Sequence, residues 1–114
     1  MLTRDIILKL EGISKKYQLD FLVLFDLKSS SINLAYYKLD DDIKIDSLRG
    51  HIEQIVKKEF NLINLSDKNS YLIKEVVYKK GFKIYVRDEQ LYKIKRNNTF
   101  LHSHNILELV QQEY

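Results

Sequence analysis

The chain has no cysteine, no proline, no tryptophan and only three glycines, Gly12, Gly50 and Gly81. Without cysteine there is neither a disulfide framework nor a thiolate metal site, which fits a reducing cytoplasm, the compartment we expect. With proline absent and glycine this sparse, no stretch reads as an interdomain linker, a low-complexity tract or an internal repeat. No run reaches the roughly 18 apolar residues a membrane helix needs, so no membrane association is expected. Arg4, Asp5 and Lys9 interrupt the start of the chain, so no signal-peptide core can be drawn there either.

What is present suffices for a folded unit. The 114 residues are 45% hydrophobic, enough for one core and too few for two, so residues 1–114 read as a single domain. The net charge of +3, from 19 basic and 16 acidic residues, is too small and too dispersed for a strong nucleic-acid signal. The pairs Lys15-Lys16, Lys57-Lys58 and Lys79-Lys80 sit near expected helix ends, where cations complement the negative pole of the helix.

Residues 3–17 place Ile6, Ile7, Leu10, Ile13 and Tyr17 at helical spacing. Phe21 to Phe25 is apolar without a break, as a strand buried on both faces is. A second strand from Ile32 to Tyr37 makes a hairpin with it. The run Asp40-Asp41-Asp42 reads as a solvated loop, with Asp42 or Asp46 available to cap the next helix. That helix carries Leu48, Ile52, Ile55 and Val56 on one face, with Glu53 and Lys57 spaced as an ion pair. Residues 60–65 form a third strand, Tyr71 to Tyr78 a short helix ended by Gly81, and residues 82–86 a fourth strand. Asp88 caps a helical region through Leu91, Tyr92 and Ile94. Asn97-Asn98 is expected to divide it from a last helix near residues 105–112. The order α-β-β-α-β-α-β-α predicts an α/β (α+β) fold: a mixed β-sheet of about four strands with helices mainly on one face.

Several words fall along that order: residues 19–25, 32–35, 60–65, and Gly81-Phe82-Lys83-Ile84-Tyr85-Val86-Arg87-Asp88. In this order the chain resembles the minimal nucleotidyltransferase (MNT) family of the DNA polymerase beta superfamily, small proteins often encoded beside a HEPN-domain partner. Active members follow the first strand with a Gly-Ser motif, begin the second with Asp-x-Asp, and draw a third Asp from the next strand. Glycine lets the backbone approach the triphosphate, and the carboxylates hold two divalent ions that activate the nucleophile and neutralise the leaving group.

This sequence departs at each of those points. Asp26-Leu27 stands where Gly-Ser should, the following segment is short and lacks glycine, Asp-x-Asp reads Ser31-Ile32-Asn33, and the third position reads Asn61. Loss of one preorganised electrostatic contributor typically costs about 10²- to 10³-fold in rate, so losing all of them should leave essentially no turnover. The resemblance therefore implies no catalytic residue, metal or cofactor, with Asp26, Leu27, Ser31, Asn33 and Asn61 as the degenerate positions. It implies instead an antitoxin that masks a HEPN-type toxin in a toxin–antitoxin pair. The alternative is an active enzyme using Mg²⁺ and ATP to modify its partner, with carboxylates supplied by Asp40, Asp41 or Asp42.

The helical tail, residues 97–114, carries Leu101, Ile106, Leu107, Leu109 and Val110 as an apolar stripe. This stripe either docks on a partner or packs back on its own sheet. Homo-oligomerisation through a sheet edge is a further possibility. Arg96-Asn97-Asn98 followed by His102 resembles the Arg-Asn…His word of HEPN ribonucleases with one extra residue, and reads here as coincidence in a polar linker. His102 and His104 fall on different faces of a helix, and His51 stands alone.

Overall fold

The computed structural model describes residues 2–26, 31–40, 43–66 and 71–112, the side chains of 71 and 102–112 excepted. Its elements are α1 (Arg4–Lys16), β1 (Phe21–Phe25), β2 (Ile32–Tyr37), α2 (Ile45–Val56), β3 (Phe60–Asn64), α3 (Tyr71–Lys80), β4 (Phe82–Val86) and α4 (Glu89–Gln112). The expected order and α/β class hold. The strands form one mixed sheet in the order β3-β2-β1-β4, in which only the β2–β3 pair is parallel.

Two helix ends follow directly from local chemistry. Thr3 opens α1, its hydroxyl accepting from the Ile6 amide at 3.3 Å. Asp88 opens α4 in the same way, accepting from the amides of Gln90 and Leu91 at 2.9 and 3.3 Å. The start of α2 differs from expectation: Lys44 is the N-cap with no side-chain cap bond, and Asp46 lies inside the first turn. A carboxylate there still faces the positive end of the helix without capping it. Asp42 lies outside the described residues. The helix closes on Lys57 in a left-handed conformation (φ 58°), and the expected Glu53–Lys57 ion pair is not among those of the described residues.

The core is double. Leu22, Leu34, Tyr36 and Ile84 pack with Leu10 of α1 and Leu48, Ile52 and Val56 of α2. Phe21, Val23, Phe25, Ala35 and Tyr37 pack with Val77 and Tyr78 of α3 and Tyr92 of α4. Two helices therefore cover each face, which corrects the expectation of helices mainly on one. The reason lies in β1: successive side chains point to opposite faces, and all of its residues are apolar, so each face requires its own cover. Phe21 anchors the second core, stacked on Tyr37 at 5.1 Å and meeting Tyr92 edge-on at 5.0 Å. Its complete burial is worth about 1.5–3 kcal/mol before these ring contacts are counted.

Gly81 joins α3 to β4, and its amide donates to the Val77 carbonyl at 2.9 Å. Its φ is not positive, so the demand for glycine is one of space. A Cβ there would stand 2.2 Å from the Val77 oxygen and 2.3 Å from Val23 Cγ1.

Helix α4 runs from Glu89 to Gln112 without a break, so Asn97 and Asn98 do not interrupt it. Tyr92 and Thr99 are buried against the sheet and Phe100 partly so, and this packing outweighs the weak helix propensity of asparagine. Its 24 residues span about 36 Å, whereas a five-residue strand spans about 17 Å, so the helix continues past the sheet. Among the described residues no helix is long and apolar enough to cross a membrane.

Candidate functional site

The end of β1 and the starts of β2 and β3 meet at one border of the sheet. Antiparallel pairing sets Phe25 opposite Asn33, and the parallel β2–β3 register sets Asn33 opposite Asn61. Ser31 immediately precedes β2. The three positions where the resemblance puts carboxylates are thus neighbours in space.

They are joined by neutral hydrogen bonds. Asn61 Nδ2 donates to Asn33 Oδ1 at 2.9 Å, and Asn33 Nδ2 donates to the Ser31 carbonyl at 3.2 Å. Asn33 is 1% exposed and Asn61 is exposed, so the pair links the interior of the sheet to its surface. Buried polar groups need partners, and here the Asn33 oxygen is matched by Asn61 and its NH2 by the Ser31 carbonyl.

Such a donor set does not suit a divalent ion. Mg²⁺ calls for oxygen ligands that include carboxylates, and the Asn33 oxygen already accepts from Asn61. Among the described residues, no three His, Cys, Asp or Glu side chains cluster so as to hold a metal. Asp26 follows β1 and is exposed; Leu27 lies outside the described residues. Asp40 lies at the opposite end of β2, ion-paired with Lys38, while Asp41 and Asp42 lie outside the described residues.

Beside the amide pair runs an open groove of about 1000 Å³, which sequence reasoning missed. Arg49, Gly50, Glu53 and Gln54 of α2, with its C-cap Lys57, form one wall, and residues 58–61 with Ser31 form the other. The i, i+4 spacing of Arg49, Glu53 and Lys57 was readable in the sequence. Their position against the start of β3 depends on the crossover and was not.

Of the expected docking residues, Leu101 is 60% exposed on α4. Ile106, Leu107, Leu109 and Val110 lie on the same helix, with side chains outside the described ones. Arg96 and His102 also lie on this helix rather than in a linker. His51 is not isolated: its Nδ1 is hydrogen-bonded to the Tyr17 hydroxyl, which fastens α2 to the end of α1. On the other face, burial raises the pKa values of Tyr78 and Tyr92 above the usual tyrosine range.

The fold has close counterparts. A chain of the crystal structure of the toxin–antitoxin MntA-HepT superposes with a TM-score of 0.78 at 16% identity, over 96% of this chain and 94% of that one. A toxin–antitoxin structure with AMP-PNP gives 0.73 at 16% identity, over 97% and 94%. The complex of tri-AMPylated Shewanella oneidensis HEPN toxin with MNT antitoxin gives 0.71 at 16%, over 98% of each chain. No family model matches the sequence, and no curated protein is similar to it in sequence. The chain thus has a nucleotidyltransferase fold. More particularly, it has the minimal form of that fold found in these toxin–antitoxin structures.

Proposed function

We propose that this chain is a non-catalytic antitoxin, a cytoplasmic single-domain protein (residues 1–114) that binds a HEPN-type toxin and masks it without transferring a nucleotide. The observation that carries this reading is the Ser31–Asn33–Asn61 arrangement, a neutral, internally satisfied set where nucleotidyl transfer needs carboxylates. The solved complexes support the partner class: in one an MNT antitoxin accompanies a HEPN toxin. That toxin is tri-AMPylated, and another structure contains AMP-PNP, so the fold elsewhere meets nucleotide chemistry that these side chains are not suited to perform.

The docking surface is the helical tail, residues 97–114, through Leu101, Ile106, Leu107, Leu109 and Val110. Ile94 and Leu101, 54% and 60% exposed, are seven residues apart on α4 and so lie near one line of the helix. An apolar line of this kind suits a helical partner.

The test combines co-expression with labelled ATP. The chain should relieve the toxicity of a co-expressed HEPN-type toxin and co-purify with it. With Mg²⁺ or Mn²⁺ and labelled ATP, the partner should take up no label. Label incorporated by the wild type and lost after Asp40→Ala, Asp41→Ala and Asp42→Ala would establish an active enzyme and overturn this reading.

A further inference from the structure

The groove between α2 and β3 has no part in the masking surface, yet it is built like a binding site. Arg49, Glu53 and Lys57 recur every fourth residue and are all exposed, forming a plus-minus-plus line along one wall. Each step is about 6 Å along a helix. None of the three forms an ion pair among the described residues, although the spacing permits it. The other wall begins β3, an edge strand, which among the described residues pairs with a strand on one side only, β2.

Two residues of an extended strand advance about 6.7 Å, close to the step of the charged line. A strand laid in the groove with acidic, basic and acidic side chains at alternate positions would therefore match Arg49, Glu53 and Lys57 in sign and spacing. Its backbone would add to β3, the mode in which main-chain hydrogen bonds give affinity and alternate side chains give specificity. Lys58 adds a cation on the β3 side. The carboxylates of Glu53 and Glu59 in the same groove disfavour a polyphosphate.

Gly50 supplies an independent observation. It sits inside α2, where glycine is unfavourable, and a Cβ added there would meet nothing within 4 Å. The fold does not ask for glycine at this position. On the wall of a groove, a missing side chain admits another backbone.

We infer that this groove binds an extended segment of a protein partner carrying acidic, basic and acidic residues at alternate positions. The inference rests on the reading of the chain as a protein-binding module, but its test needs no toxin. Two synthetic seven-residue peptides of valine and threonine would be titrated into the full chain under NMR observation. One carries glutamate, lysine and glutamate at its second, fourth and sixth positions; the other carries the reversed signs. The first should shift the amide resonances of α2 and β3 and bind at least about tenfold tighter. The variant carrying Arg49→Glu, Glu53→Lys and Lys57→Glu should invert that preference. Gly50→Leu should weaken the first peptide tenfold or more without lowering the melting temperature. N-methylation of alternate peptide amides should abolish binding in one of its two phases. Equal binding of both peptides, no shift in α2 or β3, or ATP shifting these resonances while the peptides do not, would overturn the inference. Loss of toxin masking with intact peptide discrimination would refute only the antitoxin reading.

Discussion

Asn33→Asp is the most informative single change, because it introduces one carboxylate at a border of the sheet whose Ser31, Asn33 and Asn61 are neutral. Asn33 is 1% exposed, and its Nδ2 donates to the Ser31 carbonyl at 3.2 Å. A carboxylate there loses that donor, faces the carbonyl oxygen and leaves water. An unsatisfied buried group costs about 1–3 kcal/mol, and more when charged, so about 3 kcal/mol is expected at pH 7. At about 4 °C per kcal/mol for a domain of this size, the melting temperature should fall by about 12 °C. Asn61→Asp, at an exposed position, removes one donor and should cost about 1 kcal/mol. The pH dependence has a definite sign. Burial raises the folded-state pKa of the introduced acid above its unfolded value near 3.9, so the penalty is full at neutral pH and shrinks as pH falls toward 4. Urea melts of wild type and both variants from pH 4 to 8 would measure this. Equal penalties at the two positions, or a penalty independent of pH, would refute the account of the site.

Other expectations concern the rest of the molecule. Burial raises the pKa values of Tyr78 and Tyr92, so the stability they confer is complete below the unfolded tyrosine value near 10 and is lost as pH rises beyond it. Thermal melts between pH 9 and 12 should show this loss, and Tyr78→Phe should reduce it. Gly81→Ala should cost at least about 1–3 kcal/mol by overpacking against Val77 and Val23, read by urea denaturation. Leu101→Glu, at a position 60% exposed, should leave the melt within about 0.5 kcal/mol of wild type yet abolish co-purification with the toxin.

The elements whose pattern is local were legible in the sequence. Asp88 sits where a cap is expected, and the β1 run announced a strand covered on both faces. Taken at its word, that run also implied helices on both faces, so the one-sided arrangement contradicted a signal already in hand. Asn97-Asn98 misled because asparagine's helix propensity is a weak preference, here outweighed by Tyr92 and Thr99 packing on either side. The neighbouring positions of Ser31, Asn33 and Asn61 followed from the family resemblance. Their mutual hydrogen bonds did not, since these depend on the parallel β2–β3 register. The Tyr17–His51 contact joins segments 34 residues apart, which no short window can display, and the groove needs the turn that folds the start of β3 back beside α2.

The asparagine pair also bears on which sequences lie within mutational reach. Asn61 donates to Asn33 and Asn33 to the Ser31 carbonyl, so an aspartate at either position removes a donor and leaves its acceptor, Asn33 Oδ1 or the Ser31 carbonyl, unmatched. A lone carboxylate gains no compensating ion, because one such ligand does not make a divalent site. Single changes toward the carboxylate set of active family members are therefore expected to lower stability without making a metal site, so on the proposed non-catalytic reading selection on activity has no slope to follow there. On that reading the pair works as a ratchet: with both amides in place, each first step toward carboxylates costs stability and gains no metal site.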